Sequence, residues 1–496
     1  VAPGEHPLSQ RLRAVTRIDP EAPALEFERD WSTWGELGAA MDRIAAHVSE
    51  PGAQVGVLLR NRPAHVGALL GVLSAGGCLV TVNPHRGAER TREDVAALDL
   101  DVLVGLEEDL ADLVPAPGPR TAIGLRALRE EPVVRVDSGR PLGAPRREGV
   151  AVRMLTSGTT GTPKRIDLGY DHFERVFQGA KHYESDKASH LRLRRGVAIV
   201  TAPLVHVAGV FRVLQCANDG RAFCLLDRFR VDAWLDAVRR HRPRTASLVP
   251  TALRMVLEAE LDREDLGSLR SVVCGTAPLD PEDADAFFQR YGVPVLVSYG
   301  ATEFGGGVAG WNLADHREFW ERKRGSVGRA HPGCALRVVS PEDGALLGPD
   351  EPGLLEVKAA QLGGRDWTRT TDLARIDADG FLWILGRADQ AILRGGFKVL
   401  PEVVQGTLER HPEVRGASVV GRRDGRLGAV PVAAVELRTG ASASEADLKD
   451  YAAKHLAPYE IPAEIRVVRE LPRTASGKAD LVAISELLDA RVEARV

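Results

Sequence analysis

Residues 155–164 read Leu155-Thr156-Ser157-Gly158-Thr159-Thr160-Gly161-Thr162-Pro163-Lys164. Glycine lets a backbone approach phosphate closely, hydroxyl and amide groups supply donors, and the terminal lysine adds a compact positive charge. Thr156, Ser157, Gly158, Thr159, Thr160, Gly161 and Lys164 are therefore candidate phosphate ligands. The order is not that of a Walker loop, in which glycine precedes the lysine and Ser or Thr follows it. Here Pro163 precedes Lys164 and Arg165 follows it. Taken alone, such a loop supports phosphate binding and nothing narrower.

Further segments follow it in a fixed order. They are Thr201-Ala202-Pro203-Leu204-Val205-His206-Val207-Ala208-Gly209, Gly275-Thr276-Ala277-Pro278-Leu279 and Ser298-Tyr299-Gly300-Ala301-Thr302-Glu303. Thr370-Thr371-Asp372, Gly386-Arg387-Ala388-Asp389, Gly395-Gly396-Phe397-Lys398-Val399 and Pro472-Arg473-Thr474-Ala475-Ser476-Gly477-Lys478 complete the series. Together with the loop, they resemble the signature segments of the adenylate-forming superfamily, which includes acyl-CoA synthetases, adenylation domains of peptide synthetases and beetle luciferases. The resemblance runs from about residue 20 to Lys478 and implies a role for each matched residue. Gly275, Thr276, Ala277 and Pro278 lie against adenine. In the segment of Ser298 and Gly300, Tyr299 stacks on adenine, Thr302 touches phosphate and Glu303 holds magnesium. Asp372 and Arg387 bind ribose, and Asp389 is the hinge. Gly395, Gly396 and Lys398 border the coenzyme A tunnel, and Lys478 is the catalytic lysine. His206 borders an acyl pocket shared with Val207, Val210, Phe211, Thr251, Phe304, Gly305, Gly306 and Gly307. Four places depart from the common pattern: Arg165-Ile166 replaces glycine-valine, Thr371 replaces glycine, Ala301 is small, and Ala479-Asp480 lacks an arginine.

The implied chemistry explains the residue types. A carboxylate is a poor acyl donor because its leaving group would be oxide. Attack on the α-phosphate of ATP gives an acyl-adenylate, from which AMP departs readily. Two anions must meet, so positive charge is needed where negative charge builds up. The resemblance gives this task to Lys164, the loop amides, Mg2+ on Glu303, and Lys478 between carboxylate and α-phosphate. Coenzyme A is the expected acceptor, yielding a thioester and AMP. Loading of a separate carrier protein, or specialisation for one half-reaction, is the alternative; no carrier-like segment is read after Lys478. The missing Walker order disfavours a P-loop kinase or ATPase, and a non-catalytic nucleotide sensor is a further rival. Gly305, Gly306 and Gly307 remove side-chain volume, which fits a bulky acid, although glycines also serve backbone geometry. No charged side chain is evidently placed for an amino acid's ammonium group. The expected substrate is an aryl, alicyclic or medium-chain carboxylic acid.

Alternating strand and helix signals organise the 496 residues. Ala24–Phe27 reads as a strand, Thr33 and Glu36 as a capping box, and Leu37, Met41, Ile44, Ala45 and Val48 follow at helical spacing. The expected fold is α/β, with a large N-terminal domain of layered sheets and helices over residues 1–386. A hinge at 387–389 and a small mobile α+β domain over 390–496, carrying the lysine loop, complete it. The resemblance implies that this small domain swings between the two half-reactions. Ligand-binding loops are expected beyond the carboxyl ends of the strands near 196–201, 245–249, 271–274 and 294–298. The apolar stretch Val66–Val82 is broken by Gly67, Gly71, Ser74, Gly76 and Gly77, so it reads as a buried helix turning into a strand rather than a membrane span. A net charge of −4 leaves no basic excess for nucleic acid. Cys78, Cys216, Cys224, Cys274 and Cys334 are scattered, and no signal peptide is read in the first thirty residues, so a reducing, cytoplasmic setting is expected. Oligomeric state is not legible.

Overall fold

The computed structural model describes residues 6–98, 100–114, 118–139, 143–155, 165–180, 191–301, 304–474 and 478–489. The candidate phosphate loop, Thr302 and Glu303 therefore lie outside the described residues. Four sheets build the large domain. One has seven strands in the order Val133–Val136, Thr121–Leu125, Val102–Leu106, Gln54–Leu58, Cys78–Val82, Val150–Leu155 and Arg165–Gly169, with a parallel centre and antiparallel edges. A second has five strands, Thr245–Leu248, Ser271–Gly275, Val295–Ala301, Gly306–Gly310 and Arg329–Ala330. Its first three strands are parallel and its last two antiparallel. A four-stranded sheet joins Arg194–Val200, Arg221–Leu225, Pro23–Phe27 and Asp30–Thr33. An all-antiparallel sheet of Ala335–Val339, Gly353–Lys358, Thr368–Ile376 and Leu382–Arg387 ends where the small domain begins.

Local chemistry sets these elements. Thr33 and Glu36 form the expected capping box at the start of helix Trp34–Ala45, each side chain bonded to the other residue's amide. Helix Pro63–Ser74 starts on proline, whose missing N–H costs nothing there, and is buried on every face. It feeds strand Cys78–Val82, as the glycine-broken apolar run predicts. Close helix contact explains two of its glycines. A Cβ on Gly67 would lie 2.9 Å from Ala40 Cβ, and one on Gly71 would lie 2.5 Å from the Met41 carbonyl oxygen. Buried Glu26 pairs with Arg240 and lies against His241. All five cysteines are free. No described helix is long and apolar enough to cross a membrane.

The small domain has its own core. Strands Phe397–Val399, Ile392–Arg394, Gly428–Leu437 and Val414–Asp424 form a sheet, and Glu464–Val468 pairs in parallel with Gly428–Leu437. Helices Pro401–Glu409 and Glu445–His455 cover it, burying Val404, Leu408, Leu448 and Ala452 among Val419, Ala433 and Val435. Strand Val414–Asp424 pairs with Gly428–Leu437 along nearly its whole length. Helix Leu481–Asp489 has no counterpart in the sequence reading; Ile484 and Leu488 seal the opposite face of the sheet.

Gly71→Ala should destabilise the protein by about 1–3 kcal/mol through overpacking against the neighbouring helix. Gly406→Ala, inside helix Pro401–Glu409 with nothing within 4 Å of a new Cβ, should stabilise it by up to about 1 kcal/mol. Denaturant unfolding of both variants measures the contrast, and equal effects of one sign would contradict this packing.

Candidate active site

Strand Val295–Ala301 organises the site. On one side it runs parallel to Ser271–Gly275, setting Gly275 opposite Ser298. On the other it meets Gly306–Gly310 antiparallel, setting Gly300 opposite Gly307 and Ala301 opposite Gly306. Ser298, Tyr299, Gly300, Gly275, Gly306 and Gly307 thus gather at the carboxyl ends of parallel strands, the usual ligand crevice of such a sheet. A side chain at 275 is excluded, because its Cβ would lie 2.7 Å from the Ser298 carbonyl oxygen. Thr276 follows at φ +72°, a strained value for a β-branched residue. It turns the chain towards Ala277 and Pro278.

The antiparallel sheet supplies a second wall. Asp372 and Arg387 stand directly opposite each other in the ladder. The Tyr299 hydroxyl donates a short hydrogen bond to Asp372 Oδ2, tying the two sheets together at this point. Arg387 is held from its other side: Nε and Nη2 reach the two carboxylate oxygens of Asp389 at 2.9 and 2.7 Å, and Nη2 also donates to Thr371 Oγ1 at 2.8 Å. Thr371 therefore supplies a contact that glycine could not.

The small domain brings a cation to this region. Arg473 and Ala479 form an antiparallel bridge, and the Lys478 carbonyl accepts from the Thr474 amide at 2.7 Å; residues 475–477 lie outside the described residues. The Lys478 ammonium is close enough to His206 to shift that imidazole. His206 precedes helix Val207–Asp219, and its Nε2 is buried with no hydrogen-bond partner among the described residues. Burial first, then the Lys478 charge, pushes its pKa down to about 4. His206 is thus a neutral imidazole at physiological pH.

The acyl-pocket candidates separate by environment. Val207 and Phe211 are partly buried, and Phe211 packs on Phe177 with ring centroids 5.4 Å apart. Val210 and Phe304 are sealed inside hydrophobic clusters instead. Thr251 turns its hydroxyl to Arg473 of the lysine loop, 3.3 Å away. The three glycines also differ. A Cβ on Gly305, at φ +63°, would collide with His172 Nε2, and one on Gly307 would crowd Ser298 Oγ and His331. Only at Gly306 would a Cβ meet nothing within 4 Å. Away from this wall, Gly395 and Gly396 turn the hairpin of Ile392–Arg394 and Phe397–Val399 at φ +56° and +89°. Phe397 there stacks on Tyr459, and Lys398 is exposed.

Residues 12–364 match the AMP-binding enzyme family, and residues 404–478 match the AMP-binding enzyme C-terminal domain. The chain belongs to the AMP-binding enzyme family. It is an adenylate-forming enzyme, and its curated relatives include CoA ligases. The 4-coumarate--CoA ligase 1 of Oryza sativa subsp. japonica is 28% identical over 92% of this chain and 89% of that protein. The indoleacetate--CoA ligase of Aromatoleum aromaticum is 29% identical over 95% of this chain and 96% of the relative. Among solved structures, o-succinylbenzoate CoA synthetase from Bacillus subtilis, in complex with its acyl-adenylate intermediate, is 27% identical with a TM-score of 0.75. That likeness covers 95% of this chain and 96% of the other.

For an AMP-binding enzyme of this kind, motif reading names the matched residues but not those behind them. His172 belongs to helix Tyr170–Ala180, and nothing in its spacing links it to Gly305. The pairing of Thr371 with Arg387 was signalled only by a departure from the common glycine. In the native enzyme, the His206 imidazole should titrate near pH 4 by NMR of histidine-labelled protein. Lys478→Met should move that midpoint upward, though not to 6.5, because burial remains. With the folded pKa below the unfolded one, His206 costs stability as pH falls from 6.5 towards 4. A midpoint near 6.5, or one indifferent to Lys478, would refute this geometry.

Proposed function

We propose that this enzyme is an AMP-forming acid–thiol ligase that joins a bulky carboxylic acid to coenzyme A. The observation carrying the proposal is the hydrogen-bonded unit of Tyr299, Asp372 and Arg387 at the carboxyl end of strand Val295–Ala301, with the Lys478 charge of the small domain within electrostatic reach of His206. In this reading the nucleotide lies over strand Val295–Ala301, with adenine between Tyr299 and the Gly275–Pro278 turn and ribose between Asp372 and Arg387. Residues 156–164 and Thr302 hold the phosphates. Magnesium arrives with ATP, and Glu303 is assigned to it. Lys478 donates to the substrate carboxylate and the α-phosphate, reducing their repulsion as the oxygen–phosphorus bond forms and pyrophosphate leaves. Neutral His206 borders the carboxylate without adding a charge that would compete with Lys478. The thiolate of coenzyme A then attacks the acyl carbon, and AMP departs.

The division at residues 387–389 is part of the same proposal. Asp389 lies at the passage between the domains, and Gly395, Gly396 and Lys398 are assigned to the thiol channel after the small domain turns. Val207, Phe211 and Gly306 form an apolar, open part of the acyl wall, which favours an aryl, alicyclic or medium-chain acid. The 4-coumarate and indoleacetate relatives agree with an aryl acid.

Incubating the enzyme with ATP, coenzyme A and a library of such acids should give AMP, pyrophosphate and one acyl-CoA thioester in equal amounts. Mass spectrometry and separate AMP and pyrophosphate assays read this. Lys478→Ala should slow adenylate formation by about 10²–10³ or more. Acid-dependent pyrophosphate release without thioester would replace coenzyme A by another acceptor. No acid-dependent pyrophosphate release would overturn the proposal.

A further inference from the structure

Helix Pro250–Glu258 carries Thr251, Arg254 and Glu258 three and four residues apart, hence along one face. All three contact the small domain. Arg473 Nη1 donates to Thr251 Oγ1 at 3.3 Å. Arg254 Nη2 donates to Glu409 Oε2 at 3.1 Å while its Nε reaches Asp283 Oδ2 at 2.6 Å. Arg415 grips both oxygens of Glu258 through Nε at 3.2 Å and Nη2 at 3.0 Å. The partners are themselves fixed within the small domain. Glu409 accepts from the Ala417 amide and from Gln405, each at 3.2 Å. Arg415 donates to buried Glu436, which also accepts from the Leu471 amide at the base of the lysine loop.

The two pairs differ in kind: Arg415–Glu258 is a bidentate pair at the surface, 40% and 35% exposed, whereas Arg254–Glu409 is shielded. The Arg254 and Glu409 side chains are only 22% and 14% exposed, so screening is reduced and the fork geometry is held from both sides. Flanking carboxylates outweigh burial and raise the Arg254 pKa, so its charge is permanent. Both ion pairs span the two domains, and Glu436 links one of them to the segment that presents Lys478.

We infer that Arg254–Glu409 and Glu258–Arg415 are positioning pairs that latch the small domain in the orientation placing Lys478 at the acid–phosphate junction. This rests on the two-step reading above. The latch favours adenylation and must open before thiol attack, so the two half-reactions respond differently to its loss. Thr251, expected in the acyl pocket, serves this docking face.

The test uses the full-length enzyme and two single-turnover assays. One follows adenylate formation from ATP and acid; the other follows thioester formation from supplied acyl-adenylate and coenzyme A. Glu258→Arg, which sets two cations face to face, and Glu409→Gln should each slow adenylation by about 3–30-fold, the range of a partly buried ion pair. Thioester formation should be unchanged or faster. Adding Arg415→Gln to Glu258→Arg should recover the share lost to cation–cation repulsion and leave adenylation slower than in the wild type, because the ion pair is still missing. Raising salt should slow wild-type adenylation more than that of Arg254→Met/Glu258→Gln. Equal loss of both steps, unimpaired adenylation, or failure of the rescue would overturn the latch. Failure of the ligase reading would instead appear in the wild type, as adenylation without thioester.

Discussion

Asp372 and Arg387 face each other across an antiparallel ladder, and that pairing is the constraint on which the rest of the molecule turns. The strand ending in Arg387 is the last of the large domain, so one wall of the site stops where the chain crosses to the second domain. Asp389, two residues on, closes a bidentate grip on the Arg387 guanidinium. A residue assigned to ribose and a residue assigned to the hinge therefore share one hydrogen-bonded unit. Tyr299 joins it from another sheet through Asp372. Displacing any member of this set would move the others, because Tyr299, Asp372 and Arg387 are positioned by backbone pairing and Asp389 is tied to them through the Arg387 guanidinium.

Electrostatics divides the labour in the same region. His206 is kept neutral by burial and by the nearby Lys478 charge. The positive charge therefore resides on a side chain of the small domain, while the imidazole of the large domain contributes shape and a neutral polar edge. The structural cations elsewhere are mostly arginines, and some, such as Arg60 on Asp109 and Arg239 on Asp265, fork onto both oxygens of one carboxylate, a geometry that lysine does not reproduce. Their carboxylate partners are fixed in turn, as the hydrogen bonds of Glu409 and Glu436 illustrate.

Much of the fold was legible in sequence because its signals are local. The capping box at Thr33 and Glu36, the glycine-broken helix before Cys78, and the strands around residues 271–301 depend on neighbours within a few positions. The site motifs were legible for a related reason: phosphate and ribose impose residue types on short contiguous segments. Long-range partners were not. The Tyr299–Asp372 bond spans 73 positions, and the Arg254–Glu409 pair spans 155. No periodicity encodes such meetings. Helix Leu481–Asp489 escaped because, although most of its residues are apolar, only Ile484 and Leu488 are buried, against a sheet whose strands lie far away in sequence. The bond of Thr251 to Arg473 of the neighbouring domain spans 222 positions and is likewise invisible in the motif that places Thr251 among the acyl-pocket candidates.

The run Gly305-Gly306-Gly307 looks uniform in sequence, yet its three positions have different neighbours. The space beside Gly305 is filled by His172 and that beside Gly307 by Ser298 and His331, while Gly306 alone is open. For evolutionary drift or a combinatorial library, this makes the triplet a single adjustable site between two immovable ones. On the proposed acyl-wall reading, variation at 306 explores the breadth of acids accepted, whereas variation at 305 or 307 must first displace a neighbouring side chain.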